Sequence, residues 1–226
     1  MLSAFSGGGC AEYAAVQEKN AAIKPRNLTF EEAAAVPVAA MTALQALRDQ
    51  GKIKSGSRLL INGASGGVGS FAVQIAKIFG ASVTAVTGRK NIEFVKILGA
   101  DRVIDYTAED FTKTDPGYSI IFDAVAKRSF AECKPLLSPK GVYISTLPSL
   151  GTILRILIGS IIDGKRARLV NVRARASDLD LLTEWIEAGK IHPMIDRTFP
   201  LSKTAEAHAL SEAEHARGKI VIRVSE

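Results

Sequence analysis

From residue 57 onward, short apolar runs alternate with segments whose apolar positions recur at helical spacing. The runs at 57–62, 82–86, 102–105, 119–122, 142–146 and 168–172 predict six strands. Helices are predicted between most of them, at 67–79 and 89–98 first, with Gly80 and Gly99 as their stops. Strands that are apolar at nearly every position are buried on both faces, as in parallel sheets with helices on each side. The pattern therefore predicts an α/β fold, a doubly wound six-stranded parallel sheet. The helix at 67–79 is apolar nearly all round, with Ser70, Gln74 and Lys77 as one polar stripe, so it is expected to be covered on most sides.

The flanks read differently. Residues 11–16 look like a short strand after the flexible Ser6-Gly7-Gly8-Gly9. Thr29 with Glu32 three residues on is a capping box, which starts a helix near Phe30, and Pro37 restarts a helix that runs to about Gln50. Past residue 173 the strand–helix rhythm stops. A helix at 178–188, an extended 195–199, a helix at 202–214 and an alternating strand at 219–224 predict a second, smaller unit.

Composition narrows the class. With 226 residues, 47% hydrophobic and 23% charged, the chain is not a disordered one, and 19 Gly with 8 Pro exclude collagen-like and low-complexity classes. The net charge of +6 is spread along the chain; it suits an anionic ligand and does not by itself mark a nucleic-acid binder, so none is expected. Two cysteines, Cys10 and Cys133, cannot build a disulfide framework or a four-cysteine zinc site, and they read as inert small residues in a reduced, cytoplasmic setting. Residues 1–15 lack the basic start and long apolar run of a signal peptide. The apolar stretch 142–162 is broken by Pro148, Gly151, Arg155 and Gly159, so it predicts a buried strand and an amphipathic helix, not a membrane span.

The most informative segment is Leu59-Leu60-Ile61-Asn62-Gly63-Ala64-Ser65-Gly66-Gly67-Val68-Gly69. A buried strand enters a glycine-rich turn and leaves as a covered helix. Gly66 would let the backbone approach a pyrophosphate, Gly69 would let the helix pack on the strand, and the helix N-terminus offers free N–H groups to the phosphates. Ala64 takes the first position of the G-x-G-x-x-G fingerprint, so the strand–turn–helix context carries the reading. A P-loop is excluded, because no Gly-Lys pair is followed by Ser or Thr. Gly63-Ala64-Ser65-Gly66-Gly67 also matches a G-x-S-x-G nucleophile elbow, which leaves a serine hydrolase on Ser65 as a remote alternative. No tyrosine is followed four residues later by lysine, which excludes a short-chain dehydrogenase.

An NAD site usually places an acid at the end of the second strand to hold the ribose 2′-hydroxyl. Here that strand ends in Thr87-Gly88-Arg89-Lys90-Asn91, with two cations and no carboxylate. Such an end welcomes a 2′-phosphate, so the expected cofactor is NADP(H).

These residues resemble those of a known family. Phe30 to Ile53, with Val36-Pro37 and Met41-Thr42-Ala43-Leu44-Gln45-Ala46-Leu47, is similar to the lead-in of medium-chain dehydrogenases/reductases. Asn62 to Gly69, Leu98-Gly99-Ala100-Asp101, Val103-Ile104-Asp105-Tyr106 and Gly218-Lys219-Ile220-Val221 continue the resemblance in order, and its nearest branch is the zinc-free NADPH:quinone oxidoreductases. The resemblance implies that Ala64, Ser65, Gly66, Gly67, Val68 and Gly69 line the pyrophosphate. It implies further that Thr87, Gly88, Arg89 and Lys90, with Tyr106 behind them, hold the 2′-phosphate, and that Thr42, Ser145, Thr146 and Leu147 flank the nicotinamide. The implied activity is hydride transfer from NADPH to a quinone or an α,β-unsaturated carbonyl, with the proton donor unassigned. A non-catalytic NADPH-binding or RNA-associated protein of the same fold is the alternative.

The resemblance bears on metal, domains and assembly too. Zinc-dependent members carry a cysteine ligand just before the position of Thr42, where this chain has Val36-Pro37-Val38-Ala39-Ala40-Met41, so no metal is expected. His192, His208 and His215 lack metal-site spacing. Members also carry a GroES-like substrate lobe; residues 1–25 and 174–226 would be its remnants around a Rossmann domain at 26–173, with the main barrel missing and activity impaired. Arg168-Leu169-Val170-Asn171-Val172 would be the edge strand of a homodimer.

Overall fold

The structure, a computed structural model, describes residues 9–147, 164–214 and 216–225. The chain divides into two compact units. One spans Thr42–Asn171; the other joins residues up to Met41 with those from Val172 onward.

The first unit is built on a six-stranded, wholly parallel sheet in the order β3-β2-β1-β4-β5-β6. Its strands are β1 Arg58–Asn62, β2 Ser82–Thr87, β3 Arg102–Asp105, β4 Tyr118–Asp123, β5 Leu137–Ser145 and β6 Arg166–Leu169. The chain winds one way from β1 through β2 to β3 and the other way from β4 to β6, so the sheet has its switch point between β1 and β4. This is the doubly wound fold expected from the apolar runs. β1, β2 and β4 are buried at all but one position each, which is why they read as continuous runs and not as alternating ones. One row of side chains crosses the sheet in register as Thr84, Leu60, Ile121, Tyr143 and Ala167. Leu60, Ile121, Tyr143 and Ala167 join Phe111, Phe130 and Leu136 in one buried cluster, where each large apolar side chain contributes about 1.5–3 kcal/mol.

Helix α3, Gly67–Ile78, follows β1 and packs on β1 and β2. Two shorter helices precede it, α1 Phe30–Ala34 and α2 Pro37–Gln45, the latter prolonged by a π-helical turn at Ala46–Gln50. The capping box is formed: Glu32 N–H donates to Thr29 Oγ1 at 3.2 Å, and Thr29 N–H donates to Glu32 Oε2 at 2.8 Å. Later come α4 Ile92–Ile97, α5 Phe130–Cys133, α6 Ala176–Glu187 and α7 Thr204–Glu212. In the second unit β7 Ile195–Pro200 and β8 Lys219–Arg223 pair in parallel, and Arg223 Nε meets Glu31 Oε1 at 2.8 Å.

Four expectations need correction. Residues 11–16 form no strand: they are exposed and pair with neither sheet. Ser70 and Gln74 are not a solvent stripe; both are buried, and they are satisfied within the helix by Ser70 Oγ donating to Gly67 O and Gln74 Nε2 to Ser70 O. β5 starts at Leu137, earlier than expected, because the Ser138-Pro139-Lys140-Gly141 signal is a bulge in the strand, with Lys140 at φ 62° and a register shift against β4, and does not end it. β6 covers Arg166–Leu169 instead of 168–172. Its register against Val142–Ser145 sets that window, and its arginines sit exposed on a sheet edge, where charge is tolerated. His215 and the part of the apolar stretch beyond Leu147 up to residue 162 lie outside the described residues. Among the described residues no helix is long and apolar enough to cross a membrane.

Asp101 shows how the Leu98-Gly99-Ala100-Asp101 turn is pinned. Its carboxylate takes two hydrogen bonds from Lys77 Nζ, both 2.8 Å, and one from Val83 N–H at 2.7 Å. Burial would raise its carboxyl, but the bonds from Lys77 and Val83 outweigh burial and hold it below the usual carboxylate range. A depressed carboxylate stabilises the fold above about pH 4 and loses that contribution as pH falls through its folded value. The expected outcome is that wild type loses melting temperature steeply below about pH 4, while Asp101→Asn starts lower at pH 7 and shows a flatter acid limb; thermal melts from pH 7 to pH 3 check it.

Candidate functional site

The loops at the carboxyl ends of the parallel strands hold nearly every residue singled out from the sequence. At the end of β1, Gly63 turns the chain at φ 78°, and a Cβ there would meet Val125 Cγ1 at 2.5 Å. α3 begins at once. A Cβ on Gly69 would lie 2.1 Å from Gly63 O and 2.8 Å from Ala64 Cα, so the helix sits against the turn as closely as backbone allows. Ala64 is fully buried beneath it.

Gly66 is different. It sits at φ −78° and ψ 178°, which any residue adopts, and among the described residues a Cβ there would meet only Gly63 O, at an ordinary 3.5 Å. No contact among the described residues requires glycine at 66; a Cβ would fill the space above the turn. Gly66 is also the N-cap of α3 and supplies no side-chain acceptor, so among the described residues no side chain caps the first N–H groups, from Gly67 to Gly69. A bare helix N-terminus beside an unfilled notch fits the pyrophosphate of a dinucleotide.

Ser65 does not fit the nucleophile reading. Its Oγ lies 2.8 Å from Thr87 Oγ1 and accepts from Asn91 Nδ2 at 3.2 Å. Neither an alcohol nor an amide can take its proton as a general base. The two bonds instead tie the glycine turn to the end of β2. Asn91 is a part of this tie that sequence reading missed.

Gly88 and Tyr106 are also brought together: a Cβ at 88 would stand 3.1 Å from the Tyr106 hydroxyl, so the tyrosine lies across the backbone after β2. Arg89 and Lys90 are exposed, and Lys90 has no ion-pair partner among the described residues. Arg89 has one. Its Nε donates to Asp105 Oδ2, 3.1 Å away at the end of β3. At the end of β5 Ser145 is buried and donates to Leu147 O at 2.9 Å, Thr146 donates to Ala124 O at 3.3 Å, and Leu147 is exposed. Val68 opens the first turn of α3. Thr42 lies apart from these loops in sequence, nearly buried in α2.

The residue sequence reading missed most plainly is Asp123, the last of β4. It is fully buried. Oδ1 accepts from Asn62 Nδ2 at 3.0 Å and from Val125 N–H at 3.3 Å; Oδ2 accepts from Arg128 N–H at 2.9 Å and from the Tyr143 hydroxyl at 3.2 Å. Its signal was a carboxylate directly after the apolar run Ile120-Ile121-Phe122. Burial, then the Asp123 charge, pushes the Cys133 thiol up to about 12, so Cys133 stays protonated.

Residues 98–222 match the family described as zinc-binding dehydrogenase. The chain belongs to that family. It is 37% identical to a chloroplast envelope quinone oxidoreductase homolog of Arabidopsis thaliana, over 98% of this chain and 70% of that protein. It is 36% identical to a mitochondrial NAD(P)H oxidoreductase of Mus musculus, over 96% of this chain and 61% of that protein. Among solved structures, a quinone oxidoreductase from Coxiella burnetii superposes with a TM-score of 0.81 at 33% identity, covering 89% of this chain and 63% of that one. The medium-chain dehydrogenase/reductase resemblance, in its quinone oxidoreductase branch, is thereby established. This is an oxidoreductase family, and its cofactor class is the nicotinamide dinucleotides.

The family description implies zinc, which the residues present do not fit. Among the described residues no three His, Cys, Asp or Glu side chains gather into a metal-holding set. The buried Ala39, Ala40 and Met41 before Thr42 offer no thiolate, imidazole or carboxylate. No step is derived through a metal.

Gly66 and Gly69 separate binding from folding. Gly66→Ala is expected to leave stability unchanged or raised by up to about 1 kcal/mol, while weakening nicotinamide dinucleotide binding about tenfold or more. Gly69→Ala is expected to cost about 2 kcal/mol or more through its backbone clash. Urea titration with parallel fluorescence binding checks both.

Proposed function

We propose that this chain is an NADPH-dependent oxidoreductase that reduces small quinones or α,β-unsaturated carbonyls. The observation that carries the cofactor choice is the end of β2: Arg89 and Lys90, both exposed, follow Gly88 beside the α3 N-terminus, and β2 itself ends in no carboxylate. A 2′-phosphate there meets two cations, with Tyr106 lying across Gly88 behind it. The names of the relatives support the substrate class, since they include a 2-methylene-furan-3-one reductase from Solanum lycopersicum and an alkenal/one oxidoreductase from Arabidopsis thaliana.

The chain's residues divide the work by position. Gly66, Gly67, Val68 and Gly69 hold the pyrophosphate through backbone N–H groups and the positive end of α3, with Ala64 and Ser65 forming the floor of the turn. Thr87 and Asn91, bonded to Ser65, keep that turn in register with the 2′-phosphate end. Ser145, Thr146 and Leu147 close the nicotinamide side, with Thr42 from α2 as a further wall. The bound nicotinamide supplies a hydride; the protein orients it and keeps water from its face. Asp123 acts through its neighbours, holding Val125 and Arg128 so that the loop after β4 keeps its place beside Gly63. The setting we favour is cytoplasmic and reducing, in keeping with two unpaired cysteines.

We also favour a homodimer through the exposed edge of β6. Arg166 and Arg168 lie on that edge, so pairing two copies sets like charges against each other. Light scattering at micromolar concentration should therefore show a dimer whose share grows from low to moderate salt; a monomer throughout counts against it.

The cofactor reading is tested by titrating NADPH and NADH into wild type and into Arg89→Ala combined with Lys90→Ala. The expected outcome is NADPH binding weakened about tenfold or more by the double change, with NADH binding little altered. Equal loss for both nucleotides overturns the assignment of these cations to the 2′-phosphate.

A further inference from the structure

The charges at the ends of β2 and β3 are not all of one sign. The Arg89 guanidinium reaches Asp105 through Nε at 3.1 Å, and Asp105 is much the better buried partner, its side chain 12% exposed against 76% for Arg89. Asp105 also has its own anchor. Thr107 N–H and Thr107 Oγ1 both donate to its Oδ1, at 3.0 and 2.6 Å. The Thr107 hydroxyl first, then its N–H and Arg89, outweigh burial and hold the Asp105 carboxyl below the usual carboxylate range, so it is charged at neutral pH. The bond to Arg89 uses Nε alone, which leaves both terminal nitrogens of that guanidinium without a partner among the described residues.

An anion arriving at those nitrogens finds a fixed carboxylate one guanidinium away, inside the Debye length of about 8 Å at physiological salt. Because Thr107 keeps Asp105 in place whatever Arg89 does, the carboxylate cannot retreat when the guanidinium turns to a ligand. A dianionic phosphate is repelled by it, and a neutral hydroxyl is not. We propose that Asp105 is a specificity-determining residue: it offsets Arg89, holds down the preference for a 2′-phosphorylated dinucleotide, and leaves the site open to the unphosphorylated one as well. This rests on the reading of these strand ends as the adenosine side of a dinucleotide site. It also makes Lys90, exposed and without an ion-pair partner among the described residues, the cation on which the remaining preference chiefly depends.

The test is the dissociation constant of the full chain for NADPH and NADH by nicotinamide fluorescence, at two salt concentrations, with melting temperatures taken without nucleotide. Asp105→Asn keeps an oxygen for Thr107 and removes the charge. Its NADPH dissociation constant should fall about fivefold, with a steeper salt dependence, and its NADH constant should stay within about twofold. Asp105→Glu keeps the charge and should keep the wild-type ratio. If Asn lowers the melting temperature, Asp105→Ser, which can accept from Thr107 through its hydroxyl, is the second neutral variant. Unchanged or weakened NADPH binding in a neutral variant that melts like wild type overturns the proposal while leaving the dinucleotide site standing. Wild type that binds neither nucleotide overturns that site, and this proposal with it.

Discussion

Everything at the candidate site depends on how closely α3 approaches the end of β1. The carbonyl of Gly63 stands where a side chain on Gly69 would have to go, and that contact leaves no room for even a methyl group. It places the first N–H groups of α3 at the carboxyl end of β1, the strand beside the switch point of the sheet. Gly66 then keeps the space above the turn clear, although its own backbone and neighbours would accept a side chain. The glycine at 69 is required by the protein's packing, while no described neighbour requires the one at 66.

Around this contact the strand ends are locked by polar bonds rather than by apolar packing. Asp123 is a carboxylate without an ion-pair partner among the described residues, yet its two oxygens accept four hydrogen bonds from Asn62, Val125, Arg128 and Tyr143. Those bonds satisfy its buried oxygens, and they join β1, β4 and β5 at the level where their loops begin. Ser65, Thr87 and Asn91 do the same between β1 and β2. Rigid strand ends with short, bonded loops suit a protein whose part is to orient a cofactor that carries the chemistry.

The electrostatics are graded along the same edge. The α3 N-terminus is positive through backbone alone, Lys90 is an unpaired exposed cation, and Arg89 is shared with Asp105. A site of this kind attracts phosphates without being uniformly basic. The residues around Thr42 offer zinc no ligand set among the described residues.

Much of this was legible in the sequence, and the reason is physical. A strand buried on both faces must be apolar throughout, so β1, β2 and β4 announced themselves, and the glycine turn is a local device whose parts are adjacent in the chain. The capping box at Thr29 and Glu32 is local in the same way. What the sequence could not settle were features whose energy comes from a distant partner. Residues 11–16 have strand-like chemistry and pair with neither sheet; Ser70 and Gln74 look solvent-facing until neighbours cover them; Pro139 and Gly141 look like a break in the strand until β4 holds it through its bulge. Asp123 belongs to no motif, and Asp105 stands in Val103-Ile104-Asp105-Tyr106 with nothing in that motif to name its partner. Only the folded sheet brings the first under four donors and the second against Arg89, because hydrogen bonds and ion pairs are decided by distance in space, while patterning records only which residues a strand or helix must bury.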